Sequence, residues 1–141
     1  MKINVLFVLF LCLLANCFKG QMDIDISDTI SYKIVMEGRY EYKEKPPLVV
    51  NNVHEYFDFY YQTYGSYPKD FRFDFDKEMI VVVFKILTSG SFKLTVDYIL
   101  ETDSKIVVVL MPPPEGFRTC DMNPSCIALA LKKSDKQIVI N

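Results

Sequence analysis

The chain has a single histidine, His54, in 141 residues, and it contains no G-x-S-x-G elbow, no H-E-x-x-H pair and no glycine loop of the kind that cradles phosphate. Those absences remove the usual signatures of serine hydrolases, zinc peptidases and nucleotide-binding enzymes. A lone histidine on the polar face of a helix reads as a solvated residue rather than a general base. Lys and Arg total 16 against 18 acids, with no basic cluster, so the positive face that nucleic acid requires is lacking. No uncharged apolar run approaches the roughly 20 residues that span a bilayer. Half the residues are hydrophobic, 50%, which argues against disorder. A non-catalytic folded domain, with no cofactor and no metal, is the expectation.

What is present begins with MKINVLFVLFLCLLANC, in which Lys2 precedes an unbroken apolar run from Val5 to Leu14. That order is a secretory signal, assigned to residues 1–17. Its end reads in two ways. Leu14-Ala15-Asn16-Cys17 resembles a bacterial lipobox, in which Cys17 receives lipid and becomes the mature N-terminus, with Asn16 in place of the usual small residue. Ala15-Asn16-Cys17 also serves as an ordinary cleavage site. A lipidated Cys17 tethers the chain to a membrane surface without spanning it, with residues 18–28 as a polar spacer and 29–141 as one domain. The expected location is the periplasm or cell envelope, or the extracellular space without the lipid. Removing the signal deletes Lys2 and no acid, so the formal charge moves from −2 to −3.

Once Cys12 leaves with the signal and Cys17 is lipidated or lost, only Cys120 and Cys126 remain. In an oxidising compartment such a pair is expected to form a disulfide, worth roughly 2 kcal/mol for so small a loop. The competing reading, a metal pair, suffers from a spacing longer than C-x₂₋₄-C and from the lack of a second ligand pair.

Periodicity supplies the elements. Ile30 to Glu37 alternates as a half-buried strand, Gly38 interrupts it, and Pro46-Pro47 closes the segment. Val53, Tyr56, Phe57, Tyr60, Tyr61 and Tyr64 recur at helical spacing, with Asn52 and Glu55 as a capping box and Gly65 as the stop. That aromatic stripe reads as core before it reads as a binding face. Met79 to Leu87 is nearly continuous in β-branched and apolar residues, as in a strand buried on both faces. Phe92 to Leu100 alternates cleanly, Thr102-Asp103-Ser104 turns into Ile106 to Met111, and Cys126 to Leu131 with Gln137 to Ile140 reads as a final hairpin. The fold expected is α+β: one twisted antiparallel sheet, open or curled towards a partial barrel, with one principal helix packed on it and one disulfide. Asp70, Asp74 and Asp76 alternate with Phe71, Phe73 and Phe75. Without a Gly or a closing Glu at EF-hand spacing, they read as outward carboxylates of a strand-like or turn segment.

FRFDFDKEMIVVVF, TSGSFKLTVDYI, KIVVVLMPPPEG and NPSCIALALKKSDKQIVI together resemble the C-terminal domain of the protease-complex accessory lipoprotein family (PrcB-like) over residues 71–140. The shared pattern is a DF step before a buried strand, a glycine-bearing turn into an alternating strand, a strand ending in prolines and glycine, and a last strand introduced by proline. The family turn carries Gly-Gly-Tyr; here Ser89-Gly90-Ser91-Phe92 keeps a glycine and an aromatic. The resemblance implies an envelope lipoprotein that stabilises a surface protease complex without catalysis of its own.

Two segments are therefore candidates for a protein partner, an envelope protease being the one the resemblance implies: the turn Thr88, Ser89, Gly90, Ser91, Phe92 and the loop Pro112, Pro113, Pro114, Glu115, Gly116. Prolines stiffen the loop and lower its ordering entropy on association. The plainer alternative is a sheet-edge crossing whose prolines block aggregation. Other functional readings are a stand-alone protease inhibitor presenting those loops, and a small-ligand pocket beneath the tyrosine-rich helix.

Overall fold

A computed structural model describes residues 28–40, 45–88, 92–113, 115 and 121–141. The signal segment, Cys17, most of the spacer, Ser89, Gly90, Ser91, Pro114, Gly116 and Cys120 lie outside the described residues. Among the described residues eight strands and one helix follow in order: β1 (Asp28–Thr29), β2 (Lys33–Arg39), β3 (Leu48–Val50), α1 (Val53–Tyr64), β4 (Glu78–Leu87), β5 (Val96–Glu101), β6 (Lys105–Leu110), β7 (Asn123–Lys132) and β8 (Gln137–Ile140). Among the described residues no helix is long and apolar enough to cross a membrane.

The strands form two four-stranded sheets, ordered β1-β5-β6-β8 and β2-β7-β4-β3. Met79, Val81 and Val83 of β4 and Ile127, Leu129 and Leu131 of β7 point one way, meeting Val96 and Ile99 of β5 and Ile106 and Val108 of β6 between the sheets. The alternate residues Ile80, Val82, Cys126 and Ala128 point the other way, onto Tyr56 and Phe59 of α1. Both central strands are thus buried on both faces, as the apolar run from Met79 predicts, and the molecule has three layers: helix, sheet, sheet. Each fully buried aliphatic side chain contributes about 1.5–3 kcal/mol. Cys126 and Ala128 are small, which lets the rings of Tyr56 and Phe59 sit close to the sheet.

The single antiparallel meander is overturned. β7 is flanked by β2 on one side and β4 on the other, so it has no free edge to offer β8. The chain instead crosses to the other sheet, where β8 runs parallel to β6. Lys136 fastens this crossing, donating to the Thr102 carbonyl and pairing with the Glu101 carboxylate at 3.1 Å. The sandwich is open, not a closed barrel. The segment from Ile30 likewise serves both sheets: Ile30 N–H donates to Ile99 O in the first, while β2 lies in the second and continues through Gly38.

The expected alternation of Phe92 to Leu100 also breaks. Leu94 and Val96 are buried as predicted, but the β5–β6 register shifts between Val96 and Tyr98. That bulge adds one residue and reverses the faces beyond it, leaving Tyr98 40% exposed and Ile99 fully buried.

Helix α1 begins and ends where its caps predict. Asn52 Oδ1 accepts the Glu55 N–H at 3.0 Å, the Glu55 carboxylate reaches back to the Asn51 N–H at 2.9 Å, and Gly65 stops the helix at φ 68. Its buried face, however, is turned relative to the predicted stripe. Tyr56 and Phe59 are the buried residues, whereas Val53, Tyr61 and Tyr64 are 43%, 49% and 42% exposed. Phe71, Phe73 and Phe75 pack against the helix-side core from an extended segment outside the sheet. The Phe71 and Phe73 rings each lie 5.6 Å from Tyr56 between centroids, and Phe71 meets Phe73 at 5.7 Å and Phe75 at 5.8 Å.

Candidate functional site

Register brings the described flanks of both predicted segments to one end of the sandwich. Leu87, the last residue of β4, pairs with Asn123, the first of β7, and Val96 of β5 pairs with Leu110 of β6. The β4–β5 and β6–β7 connections therefore start and finish side by side. The Asn123 amide donates to Phe92 O at 3.3 Å, and Met111 N–H donates to Thr95 O at 2.9 Å. Tyr40 N–H donates to Pro124 O at 3.4 Å, so the end of β2 joins the same edge. Thr88, Pro112, Pro113 and Glu115 are exposed and Phe92 is half-buried. β6 stops at Leu110, just before the prolines that cannot extend a ladder. Met111 and Met122 flank this connection and are 52% and 59% exposed.

The expected disulfide is not found. Cys126 carries a free, buried thiol, because the alternation of β7 turns its side chain under α1, beside Met36, Tyr56 and Phe59. Cys120 lies outside the described residues. Burial pushes the Cys126 thiol above its ordinary value, partly offset by a backbone hydrogen bond at Gly38, and a thiol held protonated is a poor nucleophile. Burial also raises the Tyr56 and Tyr64 hydroxyls, with neighbouring tyrosines adding to it at Tyr56 and Cys126, Tyr60 and Glu37 adding to it at Tyr64. Tyr64 donates to Glu37 O at 2.7 Å across Gly38, where an added Cβ would approach the Tyr64 oxygen to 3.0 Å.

His54 stands on the outward first turn of α1, 3.9 Å from Asp58, with both side chains open to solvent. Asp74 closes a turn: it accepts from the Asp76 N–H at 3.2 Å and from the Lys77 ammonium at 2.8 Å. Those hydrogen bonds, led by Lys77, hold the Asp74 carboxyl below its usual range. Among the described residues no group of three or more His, Cys, Asp or Glu gathers as a metal site.

A groove of about 500 Å³ lies on the flank of this same end, between the second half of α1 and the upper part of β4; a small-ligand pocket beneath the tyrosine-rich helix is one of the readings from sequence, which names no residues lining it. The groove arises from the proline pair. β3 pairs with β4 only from Leu48, opposite Val82. Extending that register sets Pro46 beside Phe84 and Lys45 beside Lys85, and prolines donate no ladder hydrogen bonds. The uncovered stretch of β4 is roofed by rings: Phe84 meets Tyr40 edge-on at 4.9 Å and Phe59 at 6.3 Å. Gln62 and Thr63 complete the helix side, the Thr63 hydroxyl being spent on Phe59 O at 2.9 Å. The Lys45 ammonium lies 5.8 Å from the centre of the Phe84 ring, within cation–π reach. Pro46-Pro47 next to a short strand, with Phe59 one helical turn from Tyr56 and Thr63, was the available signal.

Comparisons with protein families, with curated proteins and with solved structures return no match to this chain.

Proposed function

We propose that this chain is a non-catalytic, exported binding module, tethered to an envelope membrane through lipidated Cys17. Its partner is a protein, engaged through the loop end of the sandwich. The PrcB-like motifs between residues 71 and 140 suggest that the partner is an envelope protease complex that the module stabilises. One observation supports the reading: the described ends of the β4–β5 and β6–β7 connections, distant in sequence, lie side by side, with Asn123 donating to Phe92 O and Met111 N–H to Thr95 O.

The path of the chain supports it. Asp28 pairs with Glu101, beside the Thr102–Ser104 turn, so the tether joins the end opposite the loops. β4 alone, ten residues long, spans about 33 Å. A lipid anchor on that side therefore leaves Pro112, Pro113 and Glu115 directed away from the bilayer. The exposed prolines lose little freedom when a partner covers them.

The test is photo-crosslinking in envelopes of the native host, with a reactive residue at Pro113 or, as the opposite-end control, at Asp103, and mass spectrometry of the N-terminal peptide. The expected result is an acylated Cys17 and a protease-containing adduct from Pro113 alone. Equal adducts from both ends, or none, sink the loop-end reading; an unmodified N-terminus sinks the anchor. Inhibition of unrelated proteases by the purified chain would instead favour the stand-alone inhibitor.

A further inference from the structure

The geometry points to a second, small-molecule site in the groove beside α1, with a single-chain amphiphilic anion, an acyl carboxylate, as its ligand. The wall formed by Lys45, Pro46, Pro47 and Phe84 separates two adjoining depressions. On one side the lining is mainly apolar and includes the rings of Tyr40, Phe59 and Phe84. Lys85, Ile140 and Asn141 line the other side, together with the same Lys45; Lys85 alternates with Phe84 and so stands on the face of β4 away from α1. These two ammonium groups are the charged side chains lining either depression among the described residues. Neither forms an ion pair with a described carboxylate, whereas Lys77 and Lys136 do.

That division of chemistry selects the ligand. An apolar chain alone would leave the Lys45 ammonium at the rim without an ion pair to a described carboxylate, and a cationic amphiphile would meet it as a like charge. A hydrophilic anion would have no use for the three rings. An acyl carboxylate satisfies both halves: the chain lies over Phe59 and Phe84 while the head reaches Lys45 on the shared wall, with Lys85 on the far side of that wall. The groove volume of about 500 Å³ falls within the range of ~300–1,000 Å³ usual for small-molecule sites. The Lys45 ammonium is already held over Phe84, so the head-group contact and the chain contact share one side chain. Gln62 and the hydroxyl of Thr63 sit at the helix lip; the hydroxyl is already committed to Phe59 O.

The site is independent of the loop-end reading and stands or falls separately. Calorimetric titration of the signal-processed chain would use octanoate, decanoate, 1-decanol and decyltrimethylammonium, all below their aggregation thresholds. The expected result is saturable one-to-one binding of decanoate, stronger than octanoate by about two- to fourfold per methylene. Decanol should bind about tenfold more weakly or worse, and the cationic amphiphile not measurably. The double variant Lys45→Gln/Lys85→Gln changes two exposed residues, so its thermal unfolding should match the parent while decanoate affinity falls about tenfold or more. Thr63→Trp, which fills the groove from the helix, should abolish binding of every chain length. Equal affinity for decanol and decanoate, an unchanged double variant, or no saturable binding of decanoate overturns the proposal.

Discussion

Cys126 offers the sharpest test of the tertiary arrangement. Its thiol is 2% exposed, beneath α1 among Met36, Tyr56, Phe59 and Ala128. Replacement by serine puts a hydroxyl into that layer, where only the backbone hydrogen bond at Gly38 is at hand. The expected cost is roughly 1–2 kcal/mol, within the range for a poorly satisfied buried polar group. Cys126→Ala loses only packing contacts and should cost about 1 kcal/mol or less. Urea unfolding of parent and both variants, each with and without reductant, measures this. With a free thiol the parent's midpoint is the same in both conditions, and the thiol reagent reacts at Cys126 only as the chain unfolds. A parent that loses about 2 kcal/mol in reductant while Cys126→Ser does not would refute the reasoning and restore a bridge to Cys120. The pH dependence has a definite sign. The folded thiol titrates above its ordinary value of 9.0, so the folded state holds its proton where the unfolded chain has released it. This contribution is fully present below about pH 9 and is lost as pH rises through the folded value. Tyr56 and Tyr64, also raised from 10.0, add to the alkaline loss above pH 10; Cys126→Ala should remove the earlier part and, because the Cys126 charge also raises Tyr64, lessen the later one.

The β5 bulge makes opposite predictions for adjacent residues. Tyr98→Asp, on the exposed face, should change the thermal midpoint little, whereas Ile99→Asp buries an unpaired carboxylate between the sheets and should prevent folding at neutral pH; circular dichroism distinguishes them, and the reverse ranking would restore unbroken alternation. Asn52→Ala removes the oxygen that accepts the Glu55 N–H at 3.0 Å and should cost about 1 kcal/mol in urea unfolding. No measurable change there would mean that packing on the sheet, rather than the cap, sets the start of α1.

Local chemistry made several features legible. Asn52, Glu55 and Gly65 marked the helix because capping needs only neighbours within one turn. The run from Met79 marked a strand buried on both faces, because continuous β-branched residues suit no half-solvated position. Thr102-Asp103-Ser104 marked the β5–β6 turn for the same local reason: Lys105 N–H donates to the Thr102 hydroxyl at 3.0 Å. The predicted candidate segments were visible as turn and proline chemistry, although their shared location was not.

What sequence alone determined, then, was the identity of the longer elements and the caps of α1, properties written in spacings of two to four residues; the face each residue presents still shifted at the β5 bulge and along α1. Only the tertiary structure decided which sheet each strand joins. Ser134-Asp135-Lys136 could close a hairpin, but β2 and β4 occupy both edges of β7, and the alternating period of β8 is the same in either sheet. Cys126 has the same burial whether bridged or free; the direction of its side chain depends on α1 covering that face. The groove likewise required β3, α1 and β4 to meet before Pro46, Phe59 and Phe84 acquired a common surface. Edge occupancy, face and groove depend on partners far along the chain, and no local pattern carries that information.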